Sequence, residues 1–217
     1  MAHKLGAKPV ISYQEKPLGT AHAVYCAQSS LQDKVIVAFS DTLFKADFTL
    51  DTKYDGIIWT KKVEDPSAFG VVKKDGYGYV EGFYEKPQEF VSDEAIIGVY
   101  YFRRGEALKQ EIEYLLDHDQ KGNGEYQLTD ALENLRNRGN RFTTSVVNQW
   151  YDCGNKISTV TTNKEILKFY NRKELINGSA EIDNSVIIEP CYIGKDVKLK
   201  NSVVGPYVSV ENNTYII

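Results

Sequence analysis

The apolar run Val35-Ile-Val-Ala-Phe-Ser-Asp41 ends on a carboxylate, and the run Gln149-Trp-Tyr-Asp-Cys-Gly154 carries a second carboxylate, Asp152, in a similar setting. Short apolar runs of this kind predict buried β-strands, and in α/β folds ligands collect at the carboxyl ends of strands. Two carboxylates placed there could hold one hard cation against a phosphate. Taken singly, each aspartate is also explained by a turn in which it accepts backbone hydrogen bonds.

Short β-rich runs alternate with helical stretches from about residue 9 to residue 160, which predicts an α/β sheet. The predicted strands are residues 10–13, 35–39, 56–61, 70–73, 80–84, 96–102 and 142–147. The predicted helices are residues 20–30, residues 106–119, a helix with Thr129 as its N-cap that ends at Gly139, and residues 156–171.

The spacing of apolar residues changes beyond about residue 176. Apolar residues recur there every five or six positions, with turn-forming residues such as Gly205-Pro206 between them. This hexapeptide repeat predicts a parallel β-helix, although a β-meander with coincidental spacing is an alternative. We therefore predict two domains, residues 1–175 and 176–217. The repeat anchors are Ile182, Ile188, Ile193, Leu199, Val204, Val210 and Ile216.

Composition restricts the class of protein. The chain has 217 residues, 42% of them hydrophobic, which is enough for one large or two small domains with an ordinary core. A net charge of -4 argues against a nucleic-acid partner, because such surfaces need clustered Lys and Arg. There is no apolar stretch of about 18 residues and no charged-then-apolar leader, so we expect no membrane partner and a cytoplasmic location.

The three cysteines, Cys26, Cys153 and Cys191, are an odd number at wide spacings. This pattern fits neither a disulfide framework nor a zinc site, so we expect reduced, buried thiols. Cys153 has no histidine nearby in sequence that could activate it as a nucleophile. His22 is the only histidine near a motif.

The segment Gln14-Glu-Lys-Pro-Leu-Gly-Thr-Ala-His-Ala23 places a turn directly before a helix. Backbone N–H groups are free at a helix start, and a glycine at position 19 would let a flat ring approach the backbone closely. A nucleobase would fit at this turn. A tight connection that needs no ligand explains the same segment.

A series of short motifs follows this segment, and together they are far more specific than any one of them. They are Phe39-Ser-Asp-Thr-Leu-Phe44, Ala68-Phe-Gly-Val-Val72, Tyr84-Glu-Lys-Pro87, Ile97-Gly-Val-Tyr-Tyr-Phe102, Gly124-Glu-Tyr-Gln-Leu-Thr-Asp130 and Trp150-Tyr-Asp-Cys-Gly154. In this order, from about residue 13 to residue 154, the chain resembles the sugar-phosphate nucleotidyltransferases, in particular the glucose-1-phosphate thymidylyl- and uridylyltransferases. The resemblance implies a Rossmann-like α/β nucleotidyltransferase sheet followed by the left-handed parallel β-helix that many members carry.

By that resemblance, Gln14, Gly19 and Thr20 would contact the pyrimidine base, and Gln14 would read the ring edge with its amide. Asp41 and Asp152 would bind Mg²⁺ and through it the nucleotide. The implied substrates are dTTP or UTP and a sugar 1-phosphate such as glucose 1-phosphate. The sugar phosphate oxygen would attack the α-phosphorus and expel pyrophosphate, with the ion neutralising charge.

The resemblance also implies a sugar site. Glu85 would accept hydrogen bonds from ring hydroxyls, and Lys86, which we count among the catalytic residues, would place its charge on the sugar's phosphate. Glu125 would add a pocket carboxylate, and Gly70 and Gly98 would give backbone contacts. The alternatives are a solvent-exposed ion pair of Glu85 with Lys86, and glycines that only permit β-bulges.

The chain departs from the family pattern at several points. Asn123 stands where some relatives have an arginine for the phosphate, and Ser40 stands where many have glycine. The family's opening Gly-x-Gly-Thr-Arg loop, with its following lysine, does not occur in the 217 residues. Since that loop supplies backbone N–H groups and positive charge, we expect this chain alone to be truncated and nearly inactive.

Two other functions stay open from the sequence. A non-catalytic nucleotide-sugar-binding or regulatory subunit is favoured by the missing loop and disfavoured by the presence of both aspartates. An acyltransferase built on the β-helix would need a histidine within the repeat, and none follows His118. An incomplete sheet and an uncovered repeat end predict a homo-oligomer, or another chain that supplies the complement.

Overall fold

A computed structural model describes residues 6–46 and 50–217. The chain divides into two compact units, the first ending at Trp150 and the second beginning at Tyr151. The helix that we predicted at residues 156–171 therefore belongs to the second unit. As a division of function, the boundary at residue 175 stays a prediction.

The first unit is an α/β structure. Its helices are α1 (Thr20–Tyr25), α2 (Gly105–Asp117) and α3 (Leu128–Asn137), with a 3₁₀ turn at Gln28–Ser30. Its strands are β1 (Val35–Ala38), β2 (Thr42–Lys45), β3 (Gly56–Lys62), β4 (Gly70–Lys74), β5 (Val80–Glu85), β6 (Glu94–Phe102) and β7 (Phe142–Val146). Strand β8 (Gln149–Asp152) crosses the boundary between the units.

Strand β6 is the centre of a six-stranded sheet with the order β5-β4-β6-β3-β7, in which β1 also pairs with β6. All nine residues of β6 are buried, which explains its nearly continuous apolar sequence. The pair of β3 with β7 is parallel, whereas β6 runs antiparallel to β1, β3 and β4. Among the strands that the structure describes, only β6 pairs with β1.

Apolar side chains cover both faces of this sheet. On one face, Leu108 and Ile112 of α2 and Leu132 of α3 are fully buried in the larger cluster. On the other face, Trp59 and Tyr101 are buried in a smaller cluster. Residues of β5 and α3 lie in the same larger cluster, so the packing of α3 fixes the position of β5 beside it.

Most predicted elements of the first unit are confirmed within one to three residues, but four differ. The helix predicted at residues 20–30 ends at Tyr25, and residues 28–30 form a separate 3₁₀ turn. Residues 10–13 form no strand, and Val10 and Ile11 are 72% and 74% exposed, since no described strand lies beside them to complete a ladder. The short strand β2 was not predicted. Thr129 is not an N-cap but lies inside α3, because its hydroxyl bonds elsewhere.

The second unit consists of two helices and a stack of short strands. The helices are α4 (Lys156–Leu167) and α5 (Arg172–Leu175). The strands are β9 (Glu181–Asp183), β10 (Val186–Ile187), β11 (Tyr192–Ile193), β12 (Lys198–Lys200), β13 (Val203–Val204), β14 (Ser209–Val210) and β15 (Tyr215–Ile216).

These strands pair only in parallel among the described residues, in the stacks β9-β12-β15, β10-β13 and β11-β14. Equivalent residues lie 17 positions apart, as Asn184 and Asn201 do, so three short strands make one turn of the stack. A β-meander is excluded because its neighbours would be antiparallel.

Most of the repeat anchors lie in the apolar cluster of the second unit, but Ile182 and Ile188 do not. Ile193, Leu199, Val204 and Val210 are buried in one cluster. Ile188 is 44% exposed, and the preceding Ile187 pairs with Val204 and packs on the cluster instead. The prediction was wrong by one residue, because the side-chain period of a strand puts adjacent residues on opposite faces. Ile182, on the first rung, is 43% exposed.

The three cysteines are free, as expected, but only Cys191 is buried; Cys26 and Cys153 are partly exposed. In the part of the chain that the structure describes, no helix combines the length and the apolar character that a membrane span requires.

Candidate active site

The turn before α1 is pressed against the segment that leads into α3. Gly19 has a φ of 117°, and a Cβ atom there would lie 2.5 Å from the carbonyl oxygen of Tyr126. The amide of Tyr126 donates to Leu18 O at 2.8 Å, and the amide of Ala21 donates to Tyr126 O at 2.9 Å. Only glycine combines this backbone conformation with this approach, so the predicted base loop is fixed by its packing.

Gln14 and Thr20 flank this turn and differ in which of their hydrogen-bonding atoms are still available. The exposed Gln14 donates from Nε2 to Gly19 O at 3.1 Å, and its Oε1 has no hydrogen-bond partner among the described residues. Thr20 Oγ1 accepts from the Leu128 amide at 2.9 Å and donates to Gln127 Oε1 at 3.3 Å. The amide oxygen of Gln14 is thus available to a ligand, whereas the Thr20 proton is already used.

Glu85 lies at the end of β5, against the first turn of α3. Thr129 Oγ1 donates to Glu85 Oε2 at 2.9 Å. A Cβ atom on Gly70 would lie 3.0 Å from the same carboxylate oxygen and 3.2 Å from Thr129 Cγ2, so Gly70 leaves room for the pair. Glu85 is therefore a held acceptor with Oε1 free of described partners.

Lys86 follows directly in a left-handed conformation with a φ of 44°. Its amide donates to Phe69 O at 3.1 Å, and its side chain is exposed. Among the described residues it makes no ion pair, so the alternative of a Glu85–Lys86 ion pair is not seen. The backbone turn presents a free cation beside a held carboxylate.

Gly98 lies where β6 departs from regular pairing with β3, between Ile58 and Thr60. Its φ is 79°, and a Cβ atom would lie 3.1 Å from the Phe39 ring and 3.4 Å from Thr42 Oγ1. The β-bulge alternative for Gly98 is thus confirmed; a contact with a ligand stays a prediction.

Asp41 and Glu85 both act on the buried phenol of Tyr100. Asp41 is exposed, follows β1, and has no hydrogen-bond partner among the described residues. Burial raises the pKa of the Tyr100 phenol well above its usual value, and the carboxylates of Glu85 and Asp41 raise this pKa further. Tyr100 therefore stays neutral within electrostatic reach of both carboxylates.

Asp152 ends β8 in the second unit. Its Oδ1 accepts from the Gly154 amide at 2.9 Å, as the turn alternative predicts, and its Oδ2 is free of described partners. Among residues 6–46 and 50–217, no group of three or more His, Cys, Asp or Glu side chains is placed to hold a metal ion. Two aspartates match the donor set of Mg²⁺, which commonly takes one or two carboxylates and completes its shell with water and phosphate.

Glu125 follows a tight turn. Gly122 and Glu125 exchange backbone hydrogen bonds of 2.9 and 3.1 Å, and the two residues between them, Asn123 and Gly124, have φ values of 53° and 85°. Asn-Gly is the preferred pair for this turn, which explains the residue type at Asn123. Glu125 is exposed, and its Oε2 accepts from Gln127 Nε2 at 3.4 Å.

Asp130 is a partly buried carboxyl beside this group. Burial raises the pKa of Asp130, the negative charge of Glu85 raises this pKa further, and a hydrogen bond from the Gly122 amide opposes both effects. Burial and the charge of Glu85 thus disfavour the ionised form of Asp130.

Several residues at the predicted site were not predicted as part of it. Gln127 and Thr129 hydrogen-bond to predicted site residues, and the charges of Glu85 and Asp41 act on Tyr100. Residues 125 and 127 lie in the extended segment before α3, where alternate side chains share one side. This pattern was visible in the sequence. The position of Tyr100 depends on strand pairing, which was not visible.

The chain has relatives among known proteins. The family model described as nucleotidyl transferase matches residues 2–168. A glucose-1-phosphate thymidylyltransferase of Streptomyces antibioticus is 29% identical over 98% of this chain and 65% of its own length. The bifunctional protein GlmU of Clostridioides difficile is 25% identical over 98% of this chain and 55% of its own length. The chain therefore spans less than two thirds of the length of these curated relatives.

A solved structure shares the fold. The nucleoside-diphosphate-sugar pyrophosphorylase from Vibrio cholerae RC9 superposes with a TM-score of 0.61 over 69% of this chain and 66% of that chain. At 18% sequence identity, this likeness shows the fold alone.

Proposed function

Because the chain belongs to the nucleotidyl transferase family, we propose that it acts on a nucleoside triphosphate and a sugar 1-phosphate, to give a nucleotide-sugar and pyrophosphate. The proposed substrates are dTTP or UTP and a phosphate such as glucose 1-phosphate. The observation that carries the proposal is the packing of the Gly19 turn, the base side, on the segment whose Thr129 holds Glu85, the sugar side.

The base would lie at the turn of Gly19. The free Oε1 of Gln14 would accept a hydrogen bond from the ring N–H of a pyrimidine. The missing side chain at Gly19 allows the flat ring to approach the backbone. Thr20 would contribute through its backbone and its remaining acceptor lone pair, since its proton is used by Gln127.

The sugar phosphate would lie between Glu85, Lys86 and Glu125. The free Oε1 of Glu85 would accept from a ring hydroxyl, and Lys86 would place its ammonium on the phosphate. Gly70 and Gly98 would supply close backbone approach. These groups orient the phosphate oxygen toward the α-phosphorus, so that no covalent enzyme intermediate is needed.

We propose that Asp41 and Asp152 are ligands of Mg²⁺, which would supply neutralising charge to the phosphates. The free carboxylate of Asp41 and the free Oδ2 of Asp152 support this assignment. The protein's own contribution is to keep Asp41 exposed at the end of β1 and to fix Asp152 through Gly154. Whether this chain alone turns over substrate is part of the test.

We also propose that the parallel stack of the second unit is a left-handed hexapeptide β-helix. The three-strand turn with its offset of 17 residues supports this proposal. The homo-oligomer and the cytoplasmic location stay predictions.

Isothermal titration of dTDP-glucose and UDP-glucose, with and without Mg²⁺, tests the function. We expect binding that weakens at least tenfold without Mg²⁺ and in the double variant Asp41→Asn with Asp152→Asn. The matched control is Asp117→Asn, an exposed aspartate at the end of α2, which should bind as the wild type does.

Pyrophosphate release from dTTP or UTP with glucose 1-phosphate separates an enzyme from a binding subunit. Binding without release would favour the non-catalytic alternative. A folded chain that binds neither nucleotide-sugar would contradict the proposal.

A further inference from the structure

We infer that Gln127 is a positioning residue that couples the base side of the site to the sugar side. The inference rests on the proposed function, because it assumes that a nucleoside lies at the Gly19 turn and a sugar phosphate beside Glu125. It adds a residue and a consequence: a ligand on one side raises the affinity for a ligand on the other.

Gln127 makes one hydrogen bond to each side. Its Oε1 accepts from Thr20 Oγ1 at 3.3 Å, and its Nε2 donates to Glu125 Oε2 at 3.4 Å. Thr20 follows the turn that would hold the base, and Glu125 is the proposed pocket carboxylate. The side chain therefore bridges Thr20 and Glu125, which are far apart in the sequence.

The chemistry of Gln127 fixes its orientation. A reversed amide would turn its oxygen toward the Glu125 carboxylate, which offers only acceptors. The residue is 8% exposed, so water cannot easily replace a lost partner, and a buried polar group without a partner is costly. The amide therefore holds Glu125 and Thr20 in one arrangement rather than following either side chain passively.

The backbone around Gln127 joins the two sides in the same way. Tyr126 exchanges hydrogen bonds with Leu18 and Ala21, on either side of Gly19. The Leu128 amide donates to Thr20 Oγ1 at 2.9 Å. A ligand that shifts the turn thus also shifts the segment that carries Glu125, and so changes the affinity of that segment for the second ligand.

The test measures binding of two probes to the full chain, separately and together. Glucose 1-phosphate is titrated with Mg²⁺ in the absence and in the presence of saturating thymidine, and the ratio of the two dissociation constants is the coupling factor. Uridine replaces thymidine if thymidine does not bind. For the wild type we expect a coupling factor of about five to ten.

Gln127→Leu should reduce the coupling factor to about one, while each probe alone binds within about threefold of the wild type. Gln127→Glu keeps an acceptor for Thr20 but places a negative charge against Glu125, so its coupling factor should fall as well. Gln110→Leu, an exposed glutamine of α2 without described hydrogen bonds, is the control and should keep the wild-type factor. A purely structural role would weaken both probes alone and leave the ratio unchanged.

The outcomes separate the two proposals. If the wild type binds both probes and Gln127→Leu and Gln127→Glu keep its coupling factor, or if that factor is one in the wild type, the coupling is overturned and the proposed function stands. If neither nucleoside nor glucose 1-phosphate binds to the folded wild type, the proposed site is wrong and the coupling falls with it. Thermal unfolding shows whether Gln127→Leu and Gln127→Glu are folded. The coupling factor of a folded variant decides whether the coupling proposal stands.

Discussion

The two units of this chain use polar side chains in opposite ways. In the second unit, polar groups bond to their own equivalents one turn away, such as Asn184 to Asn201 and Ser185 to Ser202, each 17 residues apart. In the first unit, polar groups from distant parts of the chain meet, such as Thr20 with Leu128 and Glu85 with Thr129. In the second unit, hydrogen bonds between successive turns use up the polar groups and leave few for a ligand. In the first unit, polar groups from distant parts of the chain meet at one place and leave donors and acceptors free.

Glycines show the same contrast. Gly205, with a φ of 116°, lies against Ile188 O and Cys191 Sγ inside the stack, so its missing side chain serves packing alone. Gly19, with a φ of 117°, is equally restricted but borders the exposed Gln14. We therefore expect damage at Gly205 to change stability and damage at Gly19 to change binding.

The largest expected effect is the loss of the β-helix in Gly205→Val. A side chain at positive φ that also meets backbone and sulfur should cost roughly 4 kcal/mol of stability. Hydrogen exchange of residues 181–216 measures it. Gly178→Val is the control, because a Cβ at Gly178 meets nothing within 4 Å. Wild-type exchange rates in residues 181–216 of Gly205→Val would break the comparison.

Gly19→Ala should weaken dTDP-glucose binding by roughly 3 kcal/mol, because its Cβ would displace Tyr126 and close the approach to the turn. Isothermal titration measures the effect. Gly78→Ala shares the positive φ, 86°, but its Cβ meets nothing within 4 Å, so it should leave the affinity unchanged. Equal loss in both variants would mean that backbone strain, and not close approach, is responsible.

Thr129→Val keeps the shape of the side chain but removes the donor to Glu85 Oε2. We expect dTDP-glucose affinity to fall by about 1.4 kcal/mol, roughly tenfold, and dTDP affinity to stay unchanged, since only the sugar contact loses its held acceptor. The control is Thr143→Val, whose hydroxyl donates to Gly78 O away from the site. An equal loss for dTDP would show that Thr129 does not act through the sugar side.

Asp130→Asn should give the smallest effect, a gain in stability below about 1 kcal/mol at neutral pH, because solvent still reaches this carboxyl. A folded-state pKa above the unfolded value means that the folded state binds more protons, so the wild type loses stability as the pH rises through that pKa. Denaturant unfolding between pH 4 and pH 8 should show this loss in the wild type and less of it in the variant. A variant that is less stable at pH 8 would contradict the strain assigned to Asp130.

The sequence predicted the repeating unit and the sheet better than the contacts of the site. Strands β3 to β7 and the anchors Ile193, Leu199, Val204 and Val210 follow from side-chain periodicity, which is a local property. The error at Ile188 has a local cause too, since the 17-residue repeat places the residue equivalent to Val204 at Ile187.

Convergence is not a local property. Residues 10–13 have the composition of a strand, but a strand needs a partner that no pattern within the segment supplies. Thr129 is a residue type that is common at N-caps, but its hydrogen bond to Glu85 depends on where β5 ends relative to α3. The motifs predicted candidate site residues, but which of these residues contact one another depends on the packing of distant elements.

Hydrogen exchange of the full chain with and without dTDP-glucose and Mg²⁺ tests the central claim most directly. The account predicts slower exchange in residues 14–22, 85–86 and 124–130 together, with residues 181–216 unchanged. Protection confined to residues 181–216, or no protection at saturating ligand, would contradict it.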